Sequence, residues 1–232
     1  MFLRRRKRRL RKSREGKIVR ILDAFAIDAV CDIGANIGQT RDSLRAAGFR
    51  GRIVSFEPAP EAHATLVSRA RHDPAWEIAP RMALGARAGE ERLNLAESSD
   101  MSGLRLPTTD LLAALPGARV QGQAPVAVAP LDSVFDAHFA PSERVFVKID
   151  TQGHERAVLD GAAESLTRIV GLQLELSLLP LYEGEETYLS FLNDLHGWGF
   201  APYMLIETNF SQALARQLQI DALFMRGSPP GR

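Results

Sequence analysis

A glycine turn near the start of the chain constrains the fold more than any other feature. Residues 30–40 read V-C-D-I-G-A-N-I-G-Q-T. The apolar run through Ala29, Val30, Cys31 and Ile33 has the pattern of a buried strand, and the glycines after it permit a sharp turn. Gln39 and Thr40 then open a segment of helical pattern. Strand, glycine turn and helix in that order build a nucleotide-sized crevice at the carboxyl end of the first strand of an open α/β sheet. A dinucleotide fingerprint would read G-x-G-x-x-G and seat a pyrophosphate on the helix N-terminus. Here Asn36 stands at the second glycine position, and Gly34 and Gly38 are four apart. Asp32 precedes the first glycine, where a carboxylate opposes an anionic pyrophosphate. The pattern suits a cofactor with a cationic ammonium or sulfonium group.

The second strand reads R-I-V-S-F over residues 52–56 and ends in Glu57 and Pro58. An acidic residue about 20 positions past the glycine turn is placed to accept both ribose hydroxyls. A charged acceptor makes the stronger hydrogen bonds there, which explains Glu rather than Gln.

Downstream, residues 145–150 (V-F-V-K-I-D) read as a buried parallel strand ending in Asp150, and residues 170–177 alternate like a strand with Glu175 near its end. Two acids at strand ends face the reaction zone of such a sheet. Asp150 is then a base that takes a proton from an acceptor while Glu175 hydrogen-bonds that acceptor, one pKa being raised by the like charge nearby. Alternatively the two hold a hard divalent ion such as Mg²⁺, or merely cap helices. We prefer the metal-free base, because two carboxylates alone make a sparse site and no His or Cys cluster offers softer ligands. Residues 76–84 read as a third strand whose end, at Met82 and Ala83, either lines a nucleobase pocket or packs in the core. His154 in a tight turn reads as a surface residue, Glu155 as a helix-dipole partner, and Tyr182 as an acceptor contact in a loop over the site.

Four segments in this order, D-I-G-A-N-I-G-Q-T, S-F-E-P-A-P-E, V-K-I-D-T-Q-G-H-E and L-Q-L-E-L-S-L-L-P-L-Y-E-G, resemble the FkbM family of S-adenosylmethionine-dependent methyltransferases. The resemblance runs over residues 30–225. It implies a single doubly wound, Rossmann-like class I methyltransferase sandwich of about seven strands with the last one antiparallel. It also implies O-methylation of hydroxyls on sugars or polyketide-type natural products. Asp32, Gly34, Asn36, Gly38, Glu57, Met82, Ala83 and Ser99 are the expected cofactor residues, Ser99 because the family has a serine-containing segment there. A nucleotide-sugar or NAD enzyme on the same fold is the first rival, opposed by Asn36. A non-catalytic binding protein is the second, opposed by retention of Asp32, Gly34, Gly38 and Glu57.

The 232 residues fit one domain. Cys31 is the single cysteine, so no disulfide forms within the chain, as expected of a reducing cytosol. No apolar run approaches the ~18 residues of a membrane span, and the basic start lacks the apolar region of a secretory signal. Residues 4–14 hold nine of the 29 Lys and Arg, leaving 20 against 28 acids, so an arm of strong positive charge precedes a body of about −8. The expected organisation is a basic, disordered arm over 1–16, a methyltransferase domain over 17–226 and a frayed tail over 227–232. The arm reads as a solvated tail or as a contact for an anionic membrane surface at about 1 kcal/mol per cation, with nucleic acid the less favoured partner. Residues 104–124, with Pro107, Pro116, Gly117 and Gly122, read as a turn-rich insertion. Acceptor specificity is expected in 98–123 and 178–187.

Overall fold

Three apolar strands set the architecture. Ala29–Ile33 (β1) is buried along its whole length, Val145–Ile149 (β7) all but Lys148, and Ile169–Ser177 (β8) nearly so, the signature of strands covered on both faces. They form the middle of a seven-stranded sheet in the order β3-β2-β1-β7-β8-β12-β9, in a computed structural model that describes residues 13–231. Here β2 is Arg52–Phe56, β3 Trp76–Ile78, β9 Phe200–Glu207 and β12 Gln219–Arg226. All pairings are parallel except those of β12, which runs antiparallel to both β8 and β9. The strand order reverses between β1 and β7, which is where such a sheet opens a crevice at its carboxyl edge.

Helices cover both faces. On one, Arg14–Ala24 (α1), Gln39–Ala47 (α2) and Pro60–Ala70 (α3) bring Ile18, Leu22, Leu44 and Leu66 onto Val30, Ile53, Phe146 and Leu223. On the other, Leu131–His138 (α5), Glu155–Asp160 (α6) and Tyr188–Gly197 (α7) pack Phe135, Leu159 and Phe191 against Cys31, Val147 and Leu174. The period of two along each strand sends successive residues to these separate cores. This is the doubly wound sandwich with an antiparallel strand near its end.

Three local expectations need correction. Residues 76–84 are two strands, because Pro80 interrupts the ladder: β3 stays in the main sheet, and Ala83–Leu84 (β4) pairs with Val120–Ala129 (β6). With Gly89–Ala96 (β5) they form a separate three-stranded sheet, and Phe210–Ser211 (β10) and Arg216–Gln217 (β11) form a two-stranded one. The segment 104–124 is more ordered than its turn residues implied. Thr108 caps a short helix, Thr109–Ala114 (α4), and β6 already begins at Val120, alternating between buried Ala124, Val126 and Val128 and exposed neighbours. Finally, α1 starts at Arg14, capped by the Ser13 hydroxyl on the Gly16 N–H (3.1 Å), inside the segment assigned to the arm. Residues 1–12, which carry the rest of the arm, lie outside the described residues. Among the described residues no helix is long and apolar enough to cross a membrane.

Candidate active site

Strand register assembles the site. Asp32 on β1 stands directly opposite Lys148 on β7, and Lys148 opposite Gln173 on β8. Two residues on, towards the carboxyl edge and on the same face, come Asp150 beyond β7 and Glu175 on β8, with Asp221 of β12 opposite Glu175. A row of polar groups therefore interrupts the apolar face made by Val30, Phe146 and Leu223.

Lys148 holds the row together. Its ammonium lies 3.1 Å from Asp150 Oδ2 and 3.6 Å from Asp32 Oδ1. Burial works against its charge, yet Asp150 and Asp32 outweigh it and its pKa is raised. Asp32 is fully buried, and that burial raises its own pKa against the pull of Lys148. Asp150 Oδ1 accepts from Gln152 Nε2 at 2.7 Å, and the same nitrogen lies 3.2 Å from Glu175 Oε2. Gln219 Nε2 donates to that Oε2 as well, at 2.9 Å. Burial, then the charge of Asp150, pushes the Glu175 pKa well up.

Two clefts meet at this row. The first runs from Asp150, Gly34 and Asn36 past Glu57 to Met82, Ala83 and Ser99, with Phe56, Leu84, Leu93 and Leu104 as apolar walls. The second, larger one lies between α1 and the sheet edge and is lined by Asp150, Glu175, Lys148, Asp221 and Thr208. Gly34, Asn36, Asp100 and Asp150 border both. Asp150 is thus shared by both clefts and reachable, its side chain 29% exposed.

Glu57 closes one end of the first cleft. Its Oε2 accepts the Asn36 N–H and its Oε1 the Ala59 N–H, each at 2.7 Å. A carboxylate has about four lone-pair sites, so each oxygen keeps room for a further donor. Burial raises its pKa to about 7 in spite of those two N–H groups. Asn36 sits at φ 46 with its Oδ1 buried and unpartnered. The first cleft carries three carboxylates, Glu57, Asp100 and Asp150, and no Lys or Arg. It is a poor home for a pyrophosphate and a good one for a ligand with ribose hydroxyls, a flat base and a positive centre. S-adenosylmethionine has that chemistry.

Of the sequence-derived residues, Gly34, Asn36, Glu57, Met82, Ala83, Ser99 and Asp150 line the first cleft, and Asp150 and Glu175 the second. Asp32 and Gly38 line neither. Asp32 acts from behind through Lys148. Gly34 is where the backbone passes closest: a Cβ there would lie 1.8 Å from the Asp150 carbonyl oxygen. Gly38 begins α2 at φ 96, and a Cβ on it would meet the Trp76 ring at 2.7 Å. Gly38→Ala is therefore expected to destabilise the fold by about 2 kcal/mol, a fall in Tm of about 4–8 °C. Because Gly38 borders neither cleft, cofactor affinity should fall less than stability; calorimetric melting beside a binding titration checks both.

Three turn residues differ from expectation. His154 is a wall of the first cleft, its ring nitrogens buried without partners, and burial and then Arg105 lower its pKa to about 4. Glu155 does more than face a helix dipole: Oε1 accepts from the Thr151 N–H and hydroxyl and the Gly153 N–H, fixing the turn. Tyr182 is 1% exposed and lines neither cleft. Its segment folds inward under Glu185, whose Oε2 accepts the Leu181 and Tyr182 N–H groups. Sequence reasoning passed over Lys148 and Gln152. A lysine inside the apolar run V-F-V-K-I was the available signal for the first. Among the described residues, no group of three or more His, Cys, Asp and Glu is arranged to hold a metal ion.

The model of the family described as "Methyltransferase FkbM domain" matches residues 32–202. A search of curated proteins gives no match. Among solved structures, methyltransferase FkbM from Methylobacillus flagellatus is 14% identical with a TM-score of 0.51, covering 84% of this chain and 43% of that one. This chain thus spans under half the length of that relative. An rRNA methylase from Streptococcus thermophilus is 10% identical, with a TM-score of 0.46 and coverage of 90% and 96%. Fibrillarin from Aeropyrum pernix, solved with natively bound S-adenosyl-L-methionine, is 10% identical, with a TM-score of 0.46 and coverage of 85% and 66%. At these identities the likeness is one of fold.

Proposed function

The chain belongs to the FkbM methyltransferase family, and on that premise we propose that it transfers a methyl group from S-adenosylmethionine to a hydroxyl of a sugar or natural-product acceptor. The observation that carries this reading is the lining of the first cleft, with Glu57 at one end, Asp150 at the other and no cation between them. Bound S-adenosylmethionine supplies an electrophilic methyl on a positively charged sulfur, open to in-line displacement by an oxygen.

The residues divide the remaining work. Gly34 lets the turn come close to Asp150, and Glu57 and Asn36 hold the ribose and amino-acid ends of the cofactor. The acceptor enters by the second cleft and presents its hydroxyl at Asp150, which borders both clefts. Ionised Asp150, steadied by Lys148 and Gln152, takes the hydroxyl proton. Glu175 plays the complementary part. Its Oε2 already accepts from Gln152 and Gln219, so Oε1 is the oxygen left to hydrogen-bond the acceptor. Two carboxyls with divergent environments thereby take two roles. A base in such a position contributes about 10²–10⁴-fold, and positioning contributes more. The metal-free form of this chemistry is favoured by Lys148, whose ammonium already pairs with Asp150, one of the two acids a divalent ion would bridge.

The test is mass spectrometry of a panel of hydroxylated sugars and polyketides incubated with the chain and S-adenosylmethionine, with and without chelator. A methyl adduct on an oxygen, undiminished by chelator, is expected. Activity lost in chelator and restored by Mg²⁺ would replace the base with a metal, and N-methylated products would overturn the choice of acceptor.

A further inference from the structure

We propose that Tyr182 and Gln152 are positioning residues for the acid pair: the buried phenol locks the Gln152 amide so that its nitrogen bridges Asp150 and Glu175. The inference rests on the reading of those two acids as the reaction pair, and it concerns residues that touch neither cleft.

The geometry is over-determined. Gln152 Nε2 stands 2.7 Å from Asp150 Oδ1 and 3.2 Å from Glu175 Oε2, while Gln152 Oε1 accepts the Tyr182 hydroxyl in a short bond. An amide has two orientations, and here only one is satisfied. If the group turned over, its carbonyl would face two carboxyl oxygens and its NH₂ would face the phenol. The two carboxyls therefore select the orientation in which one amide nitrogen serves both acids, and the Tyr182 hydroxyl, donating to Oε1, holds the amide there. Without that bridge, the two carboxyls on adjacent strands would lose the donor they share.

The surroundings are built to hold the clamp. Gln152 is 8% exposed and sits at φ 57, the left-handed region that a non-glycine residue enters at a cost. Such strain persists where neighbours enforce it, and Glu155 does so by gathering the Thr151 and Gly153 N–H groups at 2.8 and 3.3 Å. Gly153, at φ 88, leaves room for the phenol: a Cβ there would lie 2.6 Å from the Tyr182 Cβ. At the other end, Glu185 takes the Tyr182 N–H at 3.0 Å and is itself fixed by the Ser177 hydroxyl at 2.6 Å. Buried Glu155 and half-buried Glu185 thus pin the backbone on either side of one side-chain contact.

The charged groups around the pair come from every packed element. Lys148 lies on β7, Asp32 on β1, Glu155 at the start of α6, Asp221 on β12 and Arg14, paired with Asp221, on α1. Glu185 and the phenol of Tyr182 complete the set. All of these except the phenol itself remain in Tyr182→Phe, and all of them remain in Gln152→Gly, so a change common to both variants can be assigned to the amide.

Tyr182→Phe removes one oxygen and keeps the ring. In ¹³C spectra of the full chain labelled at its side-chain carboxyls, the Glu175 carbon follows the titration of that group. Losing N–H donation disfavours its ionised form, so its midpoint is expected to rise by about one pH unit in Tyr182→Phe. The acid limb of the rate profile should move with it, and kcat should fall about tenfold with KM for S-adenosylmethionine unchanged. Gln152→Gly is the second variant. It relieves the strained backbone while deleting the bridge, so it should fold at least as well as the parent and still show the raised midpoint. Parent-like midpoints in both variants would overturn the clamp. Raised midpoints in a chain that transfers no methyl group would uphold the clamp and sink the methyltransferase reading.

Discussion

Asp150→Asn is expected to lower kcat by about 10²–10⁴-fold, the range for removing a general base, while S-adenosylmethionine binds nearly as well as before. Asn has the shape of Asp but cannot take a proton. The separation of effects follows from where Asp150 stands. Its carboxylate is shared by the two clefts, but Glu57, Asn36 and the apolar walls of the first cleft do not depend on it for their positions. There is a secondary cost. Asp150 accepts from both Lys148 and Gln152, and an amide can satisfy only one of these with its oxygen, leaving its NH₂ against the other donor. Some loss of stability should therefore accompany the loss of turnover. Steady-state kinetics beside a calorimetric titration separates them, and full turnover in Asp150→Asn would remove it as the base.

Glu57→Ala is expected to weaken S-adenosylmethionine binding by about 2–3 kcal/mol, roughly 30- to 150-fold, since stranding buried polar groups costs about 1–3 kcal/mol each. The effect exceeds a single lost ribose contact because Glu57 also ties down the N–H groups of Asn36 and Ala59. Without it the glycine turn loses the anchor that joins it to the end of β2. The raised pKa of about 7 adds a pH dependence. In the free chain a carboxyl raised in this way contributes stability that is full below its unfolded value near 4.3 and is lost as pH rises through about 7. Ribose hydroxyls donate to the ionised form, so affinity for the cofactor should increase as pH passes upward through that same window. Titrations at three pH values, on parent and variant, check this: the parent's affinity should climb and the variant's should stay flat. A variant that binds as tightly as the parent would take Glu57 out of the site.

The order of elements was legible in the sequence because buried parallel strands write themselves as apolar runs and glycine turns punctuate them. A-V-C-D-I, V-F-V-K-I and L-Q-L-E-L each announced a strand, and Gly34 through Gly38 announced the crevice. The antiparallel end followed from the family resemblance rather than from any pattern in residues 201–225. Less was legible where pairing partners lie far apart. β4 and β6 meet across 35 intervening residues, and nothing local to Ala83 and Leu84 separates them from β3 except Pro80.

The site was half visible for the same reason. Asp150 and Glu175 stood at strand ends and could be named, but Lys148 becomes a member only when register sets it opposite Asp32. Tyr182 was placed over the acceptor because loops after strands line such sites, yet its segment turns inward where Glu185 gathers two N–H groups. His154 was assigned to the surface on the strength of its turn, and the turn instead faces the first cleft. These are contacts over long sequence separations, and no periodicity records them.

The most direct test of the account is a pair of calorimetric titrations of the full chain, one with S-adenosylmethionine and one with NAD. A cleft with Glu57 at the ribose, Asp150 at the far end and no cation along it predicts one binding site for S-adenosylmethionine and none for NAD. Binding of NAD with no heat from S-adenosylmethionine would contradict it.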